Sequence, residues 1–463
     1  MAQKPSIPKG TRDFTPQEVA KRNYISDTIK RQFELFGFQP VETPSFENLD
    51  TLLGKYGDEG DRLIFKILNS GDYLNKVDEA SLKEKDLAKL TPQISEKALR
   101  YDLTVPFARY VVMHQNEIDF PFKRYQIQPV WRADRPQKGR FREFFQCDAD
   151  VVGANSPIQE IELIQLYDAV FTDLGLKQVS IKLNHRKILS GIAEVIGAQD
   201  KLIPFTVALD KLDKIGTEGV IKELLANGIS AEAVDLAMPL FTIADKNNPF
   251  AVLSTFLTDS AIGQEGISEL KYITENIEKL GLLSAEVSLD VSLARGLNYY
   301  TGAIMEVAAP AGVSMGSIGG GGRYDDLTGI FGMKDLSGVG ISFGLDRIYL
   351  VLEELGLFPE TIDQSVEVLF MNFGEKEVMA CLPLIRTLRA QGIKTDLYPT
   401  EAKLQKQFKY ANNRNIPYVA LLGKDELQEQ TVVIKNMAKG SQEAYSWKEL
   451  ALFSKEVRSE GQK

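Results

Sequence analysis

Cysteine and histidine are scarce in this chain: 463 residues hold two of each. Cys147 and Cys381 lie far apart and fall in no metal-ligand spacing. That argues against a disulfide framework and fits a reducing compartment. His114 and His185 sit in no metal or nucleophile motif, so each reads as structural. No run of about 18 apolar residues occurs, so no membrane-spanning helix is expected. The N-terminal MAQKPSIPKGTRDF lacks the apolar stretch of a secretory signal, which makes a cytoplasmic location the expectation. Basic excess is missing too: 54 Lys and Arg stand against 64 Asp and Glu, a net charge of −10. This disfavours a general nucleic-acid-binding surface but leaves room for a local basic groove. We find no internal repeat and no low-complexity tract.

What is present is an ordinary globular composition, 44% apolar and 25% charged. The length exceeds one core and suggests two to four domains. Thr15-Pro16-Gln17-Glu18 opens a helix, with Thr15 as cap, Pro16 at the first helical position and Glu18 closing a capping box. Val19, Ile25, Ile29, Phe33 and Phe36 follow at near-helical spacing, and Gly37 can end the helix. Pro40 and Pro44 then keep the chain extended. Ile64–Leu68 reads as a strand, 78–97 as a charged surface excursion, and a helix begins near Val105. A strand at Val179–Leu183 and strand patterning at Val287–Val291 bracket about 95 residues of helical periodicity, the pattern of an inserted domain. After the polar link 356–365, strands and helices alternate as in a small α/β unit with a mostly parallel sheet.

Arg124 to Gly153 reads as strand, basic loop, strand, with alternation through Tyr125, Ile127, Val130, then Phe141, Phe144 and Asp148. Its loop carries Arg132, Arg135, Lys138, Arg140 and Arg142 around Asp134. Guanidinium forks match phosphate oxygens in pairs, so a polyanion suits this tip; a solvated charged hairpin is the other reading. Two further segments stand out, LARGLNYYTG at 293–302 and GVGISFGLDRI at 338–348. Gly319-Gly320-Gly321-Gly322-Arg323-Tyr324-Asp325 has the wrong spacing for a dinucleotide fingerprint.

Together the hairpin and the two later segments resemble motif 2, the histidine-specific signature and motif 3 of the histidyl-tRNA synthetases, a family of class II aminoacyl-tRNA synthetases. The first helix and extended segment look like the dimerising motif 1. Class I signatures are absent. The resemblance implies an α+β catalytic domain built on an antiparallel class II sheet, over 1–187 and 285–358. It implies a helical insertion domain at 188–284 and a C-terminal α/β anticodon-binding domain at 365–463. It also implies a homodimer that takes L-histidine, ATP as its Mg2+ complex and histidine tRNA, with no tightly bound protein metal and no membrane partner.

Such an enzyme needs no protein nucleophile. It must hold a carboxylate in line with the α-phosphate and neutralise the charge that develops there. By resemblance, Arg132 holds the α-phosphate and the amino-acid carboxylate, and Arg140 the distal phosphates. Phe144 and Arg347 sandwich adenine, and Asp134 belongs to the same ATP site. Arg295 stands where related enzymes use a divalent ion; with Arg132 and Gln146 it makes the catalytic set. Asp102, Thr104 and Gln146 face the α-amino group, Asp150 and Tyr300 the ring nitrogens, and Leu103 and Tyr299 complete the histidine site. The glycine run is then the strand where backbone passes close to ligand. Arg135, Gln137 and Lys138 are candidates for the extra 5′ guanosine of the tRNA. Lys403, Lys406 and Lys409, with Arg414, are candidates for its phosphate backbone, or else a solvated charged face.

Two departures are visible. Asp102-Leu103-Thr104 and Asp150 replace the Glu-Gly-Thr and glutamate of many bacterial members, a pattern similar to the eukaryotic and archaeal branch. Asn298 replaces the usual aspartate, keeping shape and losing charge. Two related readings differ in what they retain. A regulatory subunit of ATP phosphoribosyltransferase usually lacks the C-terminal domain, and a tRNA-sensing kinase carries a kinase segment. A sister enzyme for threonine or proline would lack the RGLxYY signature.

Overall fold

The computed structural model describes residues 4–75, 77–245, 248–294, 299–359, 362, 365–450 and 453. Its contacts divide the chain into two compact units, Met1–Asp13 with Arg22–Leu357, and Phe14–Lys21 with Phe358–Lys463.

The strands, in chain order, are β1 (Gln39–Pro40), β2 (Phe46–Asn48), β3 (Lys66–Ile67), β4 (Lys97–Leu99), β5 (Phe122–Trp131), β6 (Glu143–Val152), β7 (Val179–His185) and β8 (Ala285–Leu289). They continue with β9 (Ala303–Ala308), β10 (Gly319–Tyr324), β11 (Gly338–Gly344), β12 (Val368–Phe370), β13 (Thr395–Leu397), β14 (Tyr418–Leu421), β15 (Thr431–Asn436) and β16 (Gln442–Ser446). In the first unit, eight strands form one sheet in the order β1-β5-β6-β11-β10-β9-β7-β8. The run from β5 to β7 is antiparallel throughout. β1 and β8 join its two edges in parallel. A three-stranded sheet, β2-β4-β3, lies apart from it.

The first helix runs Pro16–Leu35 and opens with the expected capping box: Glu18 Oε2 accepts from Thr15 N at 2.6 Å, and Thr15 Oγ1 accepts from Glu18 N at 3.3 Å. Ile25, Ile29 and Phe33 of this helix are buried. Phe33 packs on Tyr125 and Phe343, and Tyr167 and Phe171 of helix Ile158–Asp173 pack on Phe343 as well. One face of the sheet is thereby the core face.

The two-residue period of a strand fixes what the other face carries. On β5 and β6 the register pairs Arg124 with Asp150, Gln126 with Asp148, Gln128 with Gln146 and Val130 with Phe144. Tyr125, Cys147, Ala149 and Val151 point to the helices. The alternation expected from the sequence mixed these two sets, because it followed apolar residues across both faces. The even-numbered positions, mostly polar, form a single surface.

β7 and β8 pair in parallel. Between them lie helices Arg186–Val195, Leu202–Leu209, Leu212–Ala226, Ala231–Ala237, Pro249–Phe256 and Ala261–Leu280. The last starts well before the expected Ile267, and its glycines explain why: a Cβ on Gly191 would sit 2.7 Å from Gly263 Cα, so helices Arg186–Val195 and Ala261–Leu280 touch backbone to backbone. His185 has the structural role expected. Its Nδ1 accepts from Lys187 N at 3.1 Å, and its Nε2 lies 2.7 Å from Glu269 Oε2.

The second unit holds a five-stranded sheet, β13-β12-β14-β15-β16. β12 pairs in parallel with β13 and β14, while β15 and β16 are antiparallel. The sheet is therefore mixed, not mostly parallel. Helix Glu375–Ala390 gives the crossover that a parallel pair needs, whereas the link 422–430 is too short for one. Most of the final helix expected from Trp447 onward lies outside the described residues.

Candidate active site

The polar face of β6 and the glycine-rich strands β10 and β11 form the floor of a cavity of about 300 Å³. Asp102, Thr104, Arg132, Asp134, Arg140, Phe144, Gln146, Asp150, Tyr299, Tyr300 and Arg347, all singled out from the sequence, line it. Leu103 does not: it is buried at the head of helix Thr104–Met113, and its carbonyl accepts from Arg124 Nη2 at 3.4 Å. Arg295 and Asn298 lie outside the described residues. Arg135, Gln137 and Lys138 sit on the exposed hairpin loop, where Lys138 pairs with Glu354 at 3.1 Å. Lys403, Lys406 and Lys409 are exposed at and along helix Leu404–Asn413 of the second unit, and Arg414 leans on the Tyr410 ring.

One end of the cavity is cationic. Arg132 donates from Nε to the Tyr101 carbonyl at 3.0 Å, and its guanidinium lies 4.2 Å from the Tyr101 ring and 5.3 Å from the Phe144 ring. Such packing holds the fork in place before any ligand arrives. Arg347, at the start of helix Leu345–Leu355, donates to Gly139 O at 2.8 Å and Ser317 O at 2.6 Å. It thereby ties the hairpin loop to the segment before β10. Arg140 pairs with Asp134 at 3.6 Å. Beside Arg347, Asp346 accepts from Phe145 N at 3.0 Å and is paired by Arg12 and Arg22.

The other end carries carboxylates and phenols. Asp102 is buried and accepts from Tyr56 Oη at 2.9 Å, Val105 N at 3.2 Å and Tyr299 Oη at 3.2 Å. Burial raises its pKa, with the Tyr56 hydrogen bond and Arg132 opposing. Asp150 accepts from Tyr324 Oη at 2.6 Å and lies 2.8 Å from Arg124 Nη2, in an ion pair whose N–H is poorly aligned on Oδ2. Burial likewise raises Asp150, against Arg124. It also raises Tyr56, Tyr299, Tyr300 and Tyr324, so these phenols stay protonated and act as donors.

The glycines make this arrangement possible. Gly340 and Gly338 of β11 lack side chains under two groups reaching toward each other. A Cβ on Gly340 would lie 2.0 Å from Asp150 Oδ1, and one on Gly338 would lie 2.2 Å from the Tyr324 ring. The carboxylate from β6 and the phenol from β10 thus meet across bare backbone. The run Gly319–Gly322 is a strand paired on both sides, which excludes a loose loop.

Sequence reasoning missed Arg124, Asp148, Tyr324, Ser342 and Asp346. The even-numbered register of the hairpin was the available signal for the first two: Arg124 faces Asp150 directly, and Asp148 stands between Gln146 and Asp150.

A cavity with fixed guanidinium groups at one end and buried acceptors at the other suits a ligand that is anionic at one end and cationic at the other. Set on an antiparallel sheet, with one arginine at the end of the hairpin's first strand and another after β11, it defines a class II aminoacyl-tRNA synthetase. A family model described as histidyl-tRNA synthetase matches residues 70–348, and one described as anticodon binding domain matches 366–456. The chain is 67% identical over 446 residues to a histidine–tRNA ligase of Christiangramia forsetii, covering 96% of this chain and 97% of the relative. It is 63% identical over 464 residues to a histidine–tRNA ligase of Flavobacterium johnsoniae, with the same coverage. The crystal structure of histidyl-tRNA synthetase from Nostoc sp. PCC 7120 superposes with a TM-score of 0.81 at 28% identity, covering 99% of this chain and all of the other. The chain belongs to the histidyl-tRNA synthetase family.

Proposed function

We propose that the chain activates L-histidine with ATP, releasing pyrophosphate, and then passes the histidyl group to the 3′ end of histidine tRNA. The observation that carries this reading is the polarity of one cavity: guanidinium groups at its hairpin end, buried carboxylates and phenols at the other. Arg132 orients the carboxylate of histidine against the α-phosphate and stabilises charge there as the acyl-phosphate bond forms. Arg140 takes the outer phosphates, and Phe144 with Arg347 takes the adenine. Asp134 belongs to the same nucleotide site. ATP enters as its Mg2+ complex, which is substrate. Arg295 supplies a permanent positive charge beside the α-phosphate. Asp102, Thr104 and Gln146 take the α-ammonium, and Asp150 and Tyr300 face the ring. A wrong amino acid would leave such buried groups unpaired, which is worth roughly 10⁴–10⁵ in discrimination.

In this reading 1–187 and 285–358 form the catalytic core, 188–284 the insertion and 365–463 the anticodon-binding domain. Arg135, Gln137 and Lys138 meet the 5′ end of the tRNA, and Lys403, Lys406 and Lys409 its backbone. Two copies pair through the first helix and β1, and the enzyme works in the cytoplasm. Asp102-Leu103-Thr104 and Asp150 give it a histidine pocket of the eukaryotic and archaeal kind, although the relatives named above are bacterial. A regulatory role is disfavoured by the retained arginine set and by the matched 366–456 segment. The test is histidine-dependent ATP–pyrophosphate exchange, followed by charging of histidine tRNA. Folded protein that makes no adenylate from histidine and ATP refutes the reading.

A further inference from the structure

Asp148 lies on the cavity wall, has had no role so far, and its surroundings are informative. It is 2% exposed, and its Oδ1 is buried without a hydrogen-bond partner. Apart from Ser342, whose hydroxyl hydrogen-bonds the Asp148 carboxyl, its neighbours are engaged elsewhere. Arg124 Nη1 donates to Gln126 Oε1 at 3.3 Å, and Arg124 Nη2 to the Leu103 carbonyl, beside its ion pair with Asp150. Gln126, opposite Asp148 in the register, donates from Nε2 to Thr43 Oγ1 at 2.9 Å and to Gln128 Oε1. Ser342, its partner on β11, accepts from Gln146 Nε2 at 3.1 Å. Asp150 accepts from Tyr324 through Oδ1 at 2.6 Å, while its Oδ2, 2.8 Å from Arg124 Nη2, also lacks a hydrogen-bond partner.

Native interiors rarely bury an acceptor unpaired, so an orphan on a cavity wall marks where a ligand brings a donor. Besides Asp150 Oδ2, Gln146 Oε1 is an orphan on the same face as Asp148. The two stand one strand repeat apart, about 7 Å, and so can serve two separate donors of one amino acid. Among groups around Asp148, burial pushes its carboxyl up to about 7, Arg124 and a Ser342 hydrogen bond pull it down, and Asp150 and Asp102 push it up. A donor arriving at Oδ1 favours the ionised form.

Resting on the histidine reading above, the geometry points to Asp148 as a further specificity-determining acceptor for the ring N–H of the bound amino acid, beside Asp150, which also holds Tyr324 and pairs with Arg124. No bond is made or broken at Asp148; it accepts a hydrogen bond.

The experiment is pyrophosphate exchange by the full chain with histidine and with 2-thiazolylalanine, whose ring has an acceptor nitrogen but no N–H. Wild type should prefer histidine strongly. In Asp148→Ala the histidine KM should rise roughly 100-fold, the ATP KM should stay within about threefold, and the preference over thiazolylalanine should fall by about 100-fold. Asp148→Asn, which keeps a neutral acceptor, should retain part of that preference. A histidine KM within about threefold of wild type, or a parallel rise in both KM values with the preference intact, overturns the assignment. If circular dichroism shows Asp148→Ala unfolded, the same criteria apply to Asp148→Asn. Failure of the wild type to exchange with histidine would refute the function instead, which keeps the two ideas separate.

Discussion

Gly340→Ala is a one-methyl change that should reach the amino-acid site through Asp150. The added Cβ would lie 2.0 Å from Asp150 Oδ1 and 2.5 Å from its Cγ. Ordinary carbon–oxygen contact is well beyond 3 Å, so the carboxylate must move by more than 1 Å. Its hydrogen bond from Tyr324 Oη, 2.6 Å long, cannot stretch that far, and its ion pair with Arg124 Nη2 at 2.8 Å would open as well. Losing one charge-assisted hydrogen bond costs about 1.5–3 kcal/mol, and 1.4 kcal/mol is tenfold in affinity. The histidine KM should therefore rise roughly 10- to 100-fold while the ATP KM, set at the arginine end, changes little. No left-handed backbone is required at Gly340, and the one backbone atom near the new Cβ, the Ala149 carbonyl oxygen at 3.2 Å, need give by only a few tenths of an ångström. Steady-state pyrophosphate exchange with each substrate varied in turn measures both constants. A double-mutant cycle with Asp150→Ala supplies the control: once the carboxylate is gone, the methyl should cost almost nothing further. An unchanged histidine KM, or full additivity in the cycle, would show that Asp150 does not rest on Gly340.

Other expectations follow, that for Arg295 from the motif resemblance alone. Arg132→Ala should lower the exchange rate about 10²–10³-fold with the fold retained by circular dichroism, the scale of losing one preorganised oxyanion donor; normal turnover would remove Arg132 from the chemistry. Arg295→Ala should abolish exchange by several orders of magnitude with the fold intact, and near-normal exchange would end its role. Glu269 is held down at about 2, first by its hydrogen bond to His185 and then by Lys187, with burial opposing. Its folded value is depressed, so the stability it adds is present above the unfolded carboxylate range and is lost as pH falls toward 2. Glu269→Gln should thus melt lower than wild type near neutrality and converge with it near pH 2; parallel melting curves would contradict this. Charge removal at Lys403, Lys406 and Lys409 together should reduce the salt slope of tRNA binding by about 2. An unchanged slope would clear these lysines.

Much of the site was legible through motif resemblance, because the motifs are short and local. Arg132, Gln146 and Asp150 came from the likeness of the hairpin to motif 2, and Arg347 from that of the later strand and helix to motif 3; strand periodicity alone did not separate the two faces. What stayed hidden depends on register between strands distant in sequence. Tyr324 reaches Asp150 from 174 residues away, and nothing near either residue announces the other. Asp148 was read as part of an apolar alternation, since its neighbours Cys147 and Ala149 are apolar and face the helices. The antiparallel half of the C-terminal sheet was missed for a different reason: β15 and β16 are told from parallel strands by the length of their links, not by composition.

The glycine strands also bear on how this pocket could be reshaped. Its room is created by hydrogen atoms where side chains would otherwise stand, at Gly320, Gly338 and Gly340 along two neighbouring strands. These positions are unequal. A methyl on Gly338 or Gly340 collides with a residue of the site, whereas one on Gly320 meets only the Met305 carbonyl oxygen, at 3.3 Å. Gly320 is thus a dial: filling it narrows the chamber from its floor while asking the Met305 carbonyl to give by only a few tenths of an ångström, a starting point for engineering a synthetase toward slimmer amino acids.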